Sequence, residues 1–252
     1  MASPLHKTKG IVLRTVKYGE TSLVVTMLTE VFGVQSYIIN GVRTSSKKKT
    51  GKASVFQPTA ILDLVVYHNE LKNLQRIKEF KWSFLYKNIF SDIRKNAVAL
   101  FMVELLNKCL KQPEANKELF QFCEDCLQHL DESSEMVTAN FPLFFALHLA
   151  TFFGVPPALL PAEVAKAENY FFDLREGCFT KERPAHPHFI AEKAAAVTAE
   201  IINTRRPHEL EQLKLNHDFR RQLLFAYETY YALHMHEFGS LKTLPVLKEI
   251  LS

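Results

Sequence analysis

Glycine is scarce, with eight in 252 residues. None sits in a phosphate-cradling or dinucleotide-binding spacing, so chemistry built on such a loop is excluded. There is no Gly-x-Ser-x-Gly elbow and no His-Glu-x-x-His pair. Four cysteines do not make a disulfide framework in a chain this long, and a reducing, cytoplasmic setting is the expectation. The first residues, Met-Ala-Ser-Pro-Leu-His-Lys, lack the apolar centre of a secretory signal. No apolar run reaches the ~18 residues of a membrane span, so no membrane partner is expected. Internal repeats and low-complexity tracts are absent as well.

What remains is ordinary globular composition, 47% hydrophobic and 23% charged, in a length that suits two domains. Residues 8–79 read as short strands: Thr8–Lys17, Thr21–Thr29, Val34–Val42, Ala60–His68 and Leu71–Glu79. Gly33 serves a turn, and Pro58 marks the start of the fourth strand. Five strands in about seventy residues imply a small closed barrel. The period changes near residue 80. Phe80, Phe84, Ile89, Ile93, Leu100, Phe101, Leu105 and Leu106 predict a long helix over Lys81–Lys111, ended by Pro113. Leu119, Phe122, Cys126 and Leu130 stripe a second helix. Phe141–Phe153 is apolar on nearly every side but short, which predicts a buried core helix. Residues 155–187 are irregular and proline-rich, with two short strands expected around Glu176-Gly177. Helices resume at His188–Asn203, His208–Glu237 and Leu241–Leu251. The expected architecture is therefore a barrel domain, 1–80, followed by an α-helical domain, 81–252, with an insertion at 155–187.

Charge is distributed unevenly. Residues 1–80 carry twelve Lys and Arg against five Asp and Glu, whereas residues 81–252 carry 19 against 22. A basic barrel points to a polyanion partner. Its candidate phosphate contacts are Lys9, Arg14, Lys17, Arg43, Lys47, Lys48, Lys49, Lys52, Lys72 and Arg76, since Lys supplies a point charge and Arg a planar fork. Ser45, Ser46 and Thr50 add hydroxyls. Tyr18, Tyr37, Phe56 and Tyr67 are candidate stacking platforms, each weighed against core filling; stacking plus a basic groove is how small barrels hold single strands. A second basic set, Arg205, Arg206, Lys214, Arg220 and Arg221, is interleaved with acids. Helix-surface ion pairs account for it first, a secondary DNA or partner contact second. Cys123, Cys126 and His129 share a helix face but lack a fourth ligand, so core packing outweighs a metal. His186 and His188 form an isolated pair in a loop, and His234 and His236 point apart on a helix. No catalytic group or metal site emerges, so the expectation is not an enzyme. A helical protein-interaction scaffold without direct DNA binding stays open as the alternative, with a metal-dependent nuclease or hydrolase using Cys123, Cys126, His186 or His188 behind it.

Gly10-Ile11-Val12-Leu13, Gly19-Glu20-Thr21-Ser22, Thr29-Glu30, Gly33, Gly41-Val42-Arg43, Gln57-Pro58 and Leu71 together resemble the N-terminal OB-fold of the bacterial recombination mediator family RecO. FPLFFALHLATFFGVPP resembles that family's apolar core helix, and Gly239–Leu244 its closing helix. The resemblance implies binding of single- and double-stranded DNA and annealing of complementary strands coated with single-strand-binding protein. It also implies, with RecR as partner, help in loading RecA. It further implies a seat for the acidic, apolar C-terminal tail of the single-strand-binding protein on the helical domain, and a place in the cytoplasm, associated with the nucleoid. Many members carry four zinc-ligand cysteines after the core helix; here that stretch retains only Cys178. The expectation is a degenerate zinc-finger-like β insertion without zinc, hence no cofactor.

Overall fold

The structure, a computed structural model, describes residues 4–42, 53–111, 114–161, 163–164 and 169–251. Arg43, Lys47, Lys48, Lys49, Lys52, Ser45, Ser46, Thr50 and Pro113 lie outside the described residues. The chain divides into two compact units interleaved in sequence: Met1–Lys87 with Leu110–Gln128, and Asn88–Cys109 with His129–Ser252. The sequence expectation of a single cut near residue 80 does not contain this interleaving.

In the first unit, β1 (Leu5–Tyr18), β2 (Ser22–Thr29), β3 (Gly33–Ile39), β4 (Ile61–Tyr67) and β5 (Gln75–Trp82) close a barrel in the order β1-β2-β3-β5-β4. Alternation drives closure: Leu23, Val25 and Met27 of β2 point inward with Tyr37, Leu62 and Leu64, while Val24 and Thr26 point out. The β3–β5 seam is parallel and has two pairs, Tyr37↔Gln75 and Ile38↔Arg76. β1 bends at an irregularity between Val12 and Arg14, so its first half pairs with β4 and its second half extends along β2.

The fifth strand begins at Gln75 rather than Leu71. Residues 69–74 turn instead, because the buried Gln75 side chain accepts the Asn69 N–H (3.1 Å) and donates to the carbonyls of Asn69 (2.8 Å) and Lys72 (2.6 Å). The strand then continues to Trp82, so the helix expected from Lys81 starts later. Phe80 belongs to the barrel core. The helix itself, α1 (Ile93–Cys109), begins where the Asp92 carboxylate accepts the N–H groups of Arg94 (2.8 Å) and Lys95 (3.2 Å).

α2 (Lys117–Glu132) divides between the units. In the second unit, α3 (Glu135–Leu149) is buried on most sides and touches α1, α4 (Glu192–Asn203) and α5 (His217–His234). Its Asn140 amide donates to the carbonyls of Leu210 (3.2 Å) and Leu213 (2.8 Å). With the 3-10 turn Ala150–Phe153 it makes a helix of 19 residues, longer than the thirteen expected. Its length and mean hydropathy of 1.5 would suffice to cross a membrane, but 67% of the apolar window is already buried in the protein.

The helix expected over His188–Asn203 opens instead with a strand, β8 (Phe189–Ala191), which joins β6 (Phe171–Asp173) and β7 (Cys178–Thr180) in a small sheet ordered β7-β6-β8. Gly177 takes φ +66°, as the expected turn requires. His208–Glu237 is also two pieces, a 3-10 turn over Pro207–Gln212 and then α5, which is N-capped by Asn216. α6 (Thr243–Ile250) follows.

Candidate nucleic-acid interface

Strand register assembles the site. Reading outward-facing residues across the barrel, Val16 of β1 pairs with Val24 of β2, and Val24 with Ile38 of β3. Ile38 in turn pairs with Arg76 of β5, and Arg76 with Tyr67 of β4. These five form one continuous cross-strand row. Beside it run Arg14, Thr26 and Ser36 in an adjacent row. On the other side lie Tyr18 and Ser22, the latter donating to Asn40 Oδ1 at 3.1 Å. On β2, β3 and β4 the intervening residues (Leu23, Val25, Tyr37, Val66) are barrel core, so the row is fixed there by burial of the alternate face; on β1 the intervening Lys17, at the strand end, is exposed on the opposite face.

Arg14, Lys17, Lys72 and Arg76 are exposed. Around the closed barrel, the path from Arg14 on β1 to Arg76 on β5 crosses three strand spacings, about 14 Å along the curved surface, and shifts by one row; it passes over Val16, Val24, Thr26 and Ile38. Arg76 and Lys72 converge on a groove of about 540 Å³ lined also by Ile38, Tyr67, Asn69 and Leu74. Tyr67 and the 56%-exposed Tyr18 offer ring surface to solvent. An aliphatic and aromatic strip edged by guanidinium and ammonium groups matches a strand whose bases are apolar-faced and whose phosphates are charged.

The structure does not bring every candidate there. Tyr37 and Phe56 are fully buried core rings, not platforms. Lys9 lies on the stretch of β1 that pairs with β4, and its Nζ donates to Glu124 Oε1 at 2.8 Å. That carboxylate side chain is 3% exposed. The hydrogen bond to Glu124 raises the Lys9 pKa above its ordinary value. Around Lys9 the surface is charge-balanced: Lys7 and Lys81 share a depression of about 480 Å³ with Glu30, Asp63 and Glu79, and Lys81 stands 3.5 Å from Asp63. Lys9 therefore serves a buried carboxylate rather than an open cationic track.

In the second unit, Arg205, Arg206 and Lys214 are exposed, and Arg221 stands 3.5 Å from Asp218, an i,i+3 ion pair of the kind expected. Arg220 departs from that expectation. Its guanidinium donates to carbonyls, Leu215 O at 2.5 Å and Leu251 O at 3.5 Å, its Nε is buried without a partner, and burial lowers its pKa. It borders a shallow crease, about 20 Å³, between α5 and α6 whose floor is Leu224, Leu244 and Leu247 with half-exposed Phe225, and whose edges are Arg221, His217 and Lys248. The sequence reading did not find this groove. Arg220, Arg221 and Phe225, within a turn and a half of α5, carry the signal, but Lys248 joins them only through packing of α6.

Among the described residues no three His, Cys, Asp or Glu side chains stand together to hold a metal. In the small sheet His186 uses both ring nitrogens: Nε2 donates to Asp173 Oδ2 at 3.1 Å, and Nδ1 accepts the His188 N–H at 3.3 Å. Asp173 Oδ1 accepts from Arg175 N (2.8 Å) and Glu176 N (3.2 Å). Burial raises the Cys178 thiol above its ordinary range. His234, at the end of α5, donates Nε2–H to Leu174 O at 2.9 Å. Cys123 and Cys126 are buried in α2, where burial pushes both thiols well up.

Five strands closed in this order, with half-buried apolar and hydroxyl residues facing outward on β2 and β3 and exposed cations on β1 and β5 beside them, define the OB class of barrels that hold oligonucleotides or oligosaccharides. Comparison with known sequences narrows this. Residues 1–86 match the family described as Recombination protein O N terminal, and residues 90–244 match Recombination protein O C terminal. The chain is similar to the DNA repair protein RecO of Bacteroides fragilis (35% identity, 98% of this chain and 99% of that protein). It is also similar to those of Phocaeicola vulgatus (32%, 98% and 100%) and Flavobacterium psychrophilum (31%, 98% and 99%). The chain belongs to the recombination protein O family, whose role lies in DNA repair and recombination.

One expected outcome follows from Lys9. Replacing it with Ala strands a buried carboxylate, so unfolding free energy should fall by about 1–3 kcal/mol in chemical denaturation while DNA affinity holds. Because the Lys9 pKa is raised in the folded state, its contribution is full below the ordinary lysine value and is lost as pH climbs through the raised one. The stability gap between the two proteins should therefore close at strongly alkaline pH.

Proposed function

We propose that this chain is a non-catalytic DNA-binding mediator that holds DNA on the outer row of its barrel. The observation that carries the reading is the register: Val16, Val24, Ile38, Arg76 and Tyr67 form one row, with Arg14 and Lys72 beside it. Phosphate contacts release counterions and supply affinity. They carry little sequence information, so any strand is accepted. Neutralising the phosphates of two strands lowers their mutual repulsion and favours annealing. Bases facing the aliphatic strip make single strands the natural occupant, and duplex is held through its backbones. Arg43, Lys47, Lys48, Lys49 and Lys52 belong to the proposal by sequence alone, as do Arg205, Arg206 and Lys214.

The remaining parts of the proposal follow the family. With RecR, the protein helps load RecA onto strands coated with single-strand-binding protein, in the cytoplasm at the nucleoid. The acidic, apolar tail of the single-strand-binding protein seats between α5 and α6. Apolar side chains enter over Leu247 and Phe225 while carboxylates meet Arg220, Arg221 and Lys248. The small sheet works without zinc, fastened by Asp173 and His186.

Three measurements test these readings. In salt titrations with single-stranded DNA, Arg14→Ala, Lys72→Ala and Arg76→Ala should each weaken binding and reduce the log–log salt slope by somewhat under one. Unchanged slopes in all three would leave the barrel without a DNA role. Arg220→Ala and Lys248→Ala should weaken binding of a peptide of the tail sequence by more than about tenfold, with DNA affinity intact. A strong chelator should leave the unfolding midpoint unchanged, and the purified protein should carry no stoichiometric zinc; a lowered midpoint would overturn the metal-free reading.

A further inference from the structure

The groove at Arg76 does not end at Lys72. On the outer face of β3, Ile38 lines the Tyr67–Arg76 groove, and the next outward residues, Ser36 and Val34, line a second depression of about 580 Å³. Lys72 and Gln75 border both. The two depressions are neighbours that meet at Lys72 and Gln75, beside β3 and the turn that joins β4 to β5. The β3–β5 seam spans two residue pairs, so β3 runs on past it along the second depression.

The second stretch is chemically unlike the first. Phe32 and His68 stack with ring centroids 4.0 Å apart and planes 20° from parallel, and His6 stands edge-on to both at 5.2 and 6.2 Å. Burial, with His6 beside it, lowers the His68 pKa, so the stacked imidazole is neutral near pH 7. His68 Nδ1 is buried without a hydrogen-bond partner. Around the rings stand Glu70, Glu114, Gln35 and Asn73. Two carboxylates repel phosphate, so the backbone of a bound strand stops at Lys72. Carboxylates and carboxamides are, however, good partners for the amino and imino edges of a nucleobase, and a paired ring system is a surface on which one can stack.

We propose that the Phe32–His68 depression is a pocket for a single unpaired nucleobase, taken from the DNA strand as it leaves the Arg76–Lys72 groove. This rests on the reading of the outer row as the DNA track. It adds a selective step: a base already paired in a duplex cannot enter, so occupancy of the pocket distinguishes a single strand from an annealed product. Annealing would withdraw the base and weaken the grip on the product, which favours turnover from one strand to the next.

The test is a scan of single-stranded oligonucleotides, each with one abasic position, against the unaltered protein and His68→Ala, Asn73→Ala and Arg76→Ala, with folding of each variant checked by its unfolding transition. For the unaltered protein one abasic position near a strand end should weaken binding by about tenfold, the scale of a lost base–aromatic stack. That penalty should vanish in His68→Ala and shrink in Asn73→Ala. Arg76→Ala should weaken every oligonucleotide alike and keep the position-specific penalty. If no position shows a penalty that His68→Ala removes, the pocket is not a base site, and loss of affinity in Arg76→Ala leaves the track intact. If Arg76→Ala binds all strands normally, the track itself fails and the pocket with it.

Discussion

The two-pair seam between β3 and β5 is the constraint on which the rest depends. It is the shortest ladder in the barrel, yet it decides which residues share the outer row. Gln75 faces inward at the seam and is 3% exposed; Arg76, one residue on, must then face outward. A slip of one residue would bury the guanidinium and expose the carboxamide, a change that burial energetics forbid. Gln75 also holds the turn before it through Asn69 and Lys72. One buried side chain thus sets the direction of Arg76 and the course of the loop that carries Lys72.

The barrel surface is divided by the same logic. Where β1 pairs with β4, cations and carboxylates alternate and neutralise each other: Lys9 with Glu124, Lys81 with Asp63. Where β1 has left β4 and runs along β2, Arg14 stands over Val16, Val24 and Thr26. The bend at Val12/Arg14 therefore separates a structural flank from an open one. A net charge summed over residues 1–80 does not resolve the two, because partnership of a lysine with a residue more than a hundred positions away is invisible to a local count. This is why Lys9 was legible as basic and illegible as spoken for.

Other features were legible for definite reasons. Short runs rich in β-branched residues, set between turns and without helical periodicity, marked the barrel strands, and Gly177 marked a turn that needs positive φ. The errors cluster where tertiary contacts override a local pattern. Phe80, Phe84 and Ile89 keep helical spacing, yet Phe80 is claimed by the barrel core, and the Asn88 and Ile89 N–H groups both donate to Asp131 at 2.8 Å, so the helix waits for Asp92. Leu71 looks like a strand residue but is 95% exposed, because Gln75 satisfies the turn backbone first. Tyr18, Tyr37, Phe56 and Tyr67 were equivalent as aromatic letters. Only the register, with Tyr37 opposite Gln75 and Tyr67 opposite Arg76, sorts core from surface.

α5 links the features of the second unit. Arg220 and Arg221, in its first turns, edge the groove with α6, whereas Tyr230 and His234, about 15–21 Å further along the axis, hold the small sheet. Tyr230 donates to Val155 O at 3.0 Å and its ring lies 6.0 Å from that of Phe172 in β6; His234 reaches Leu174 O. The sheet is therefore packed against a helix as well as closed on itself by Asp173 and His186. A metal ion contributes most where a small sheet has no core to lean on. This one buries Phe172 completely and draws on two side chains of an eighteen-residue helix. The same helix thus packs the small sheet at its far end and edges the groove with Arg220 at its near end.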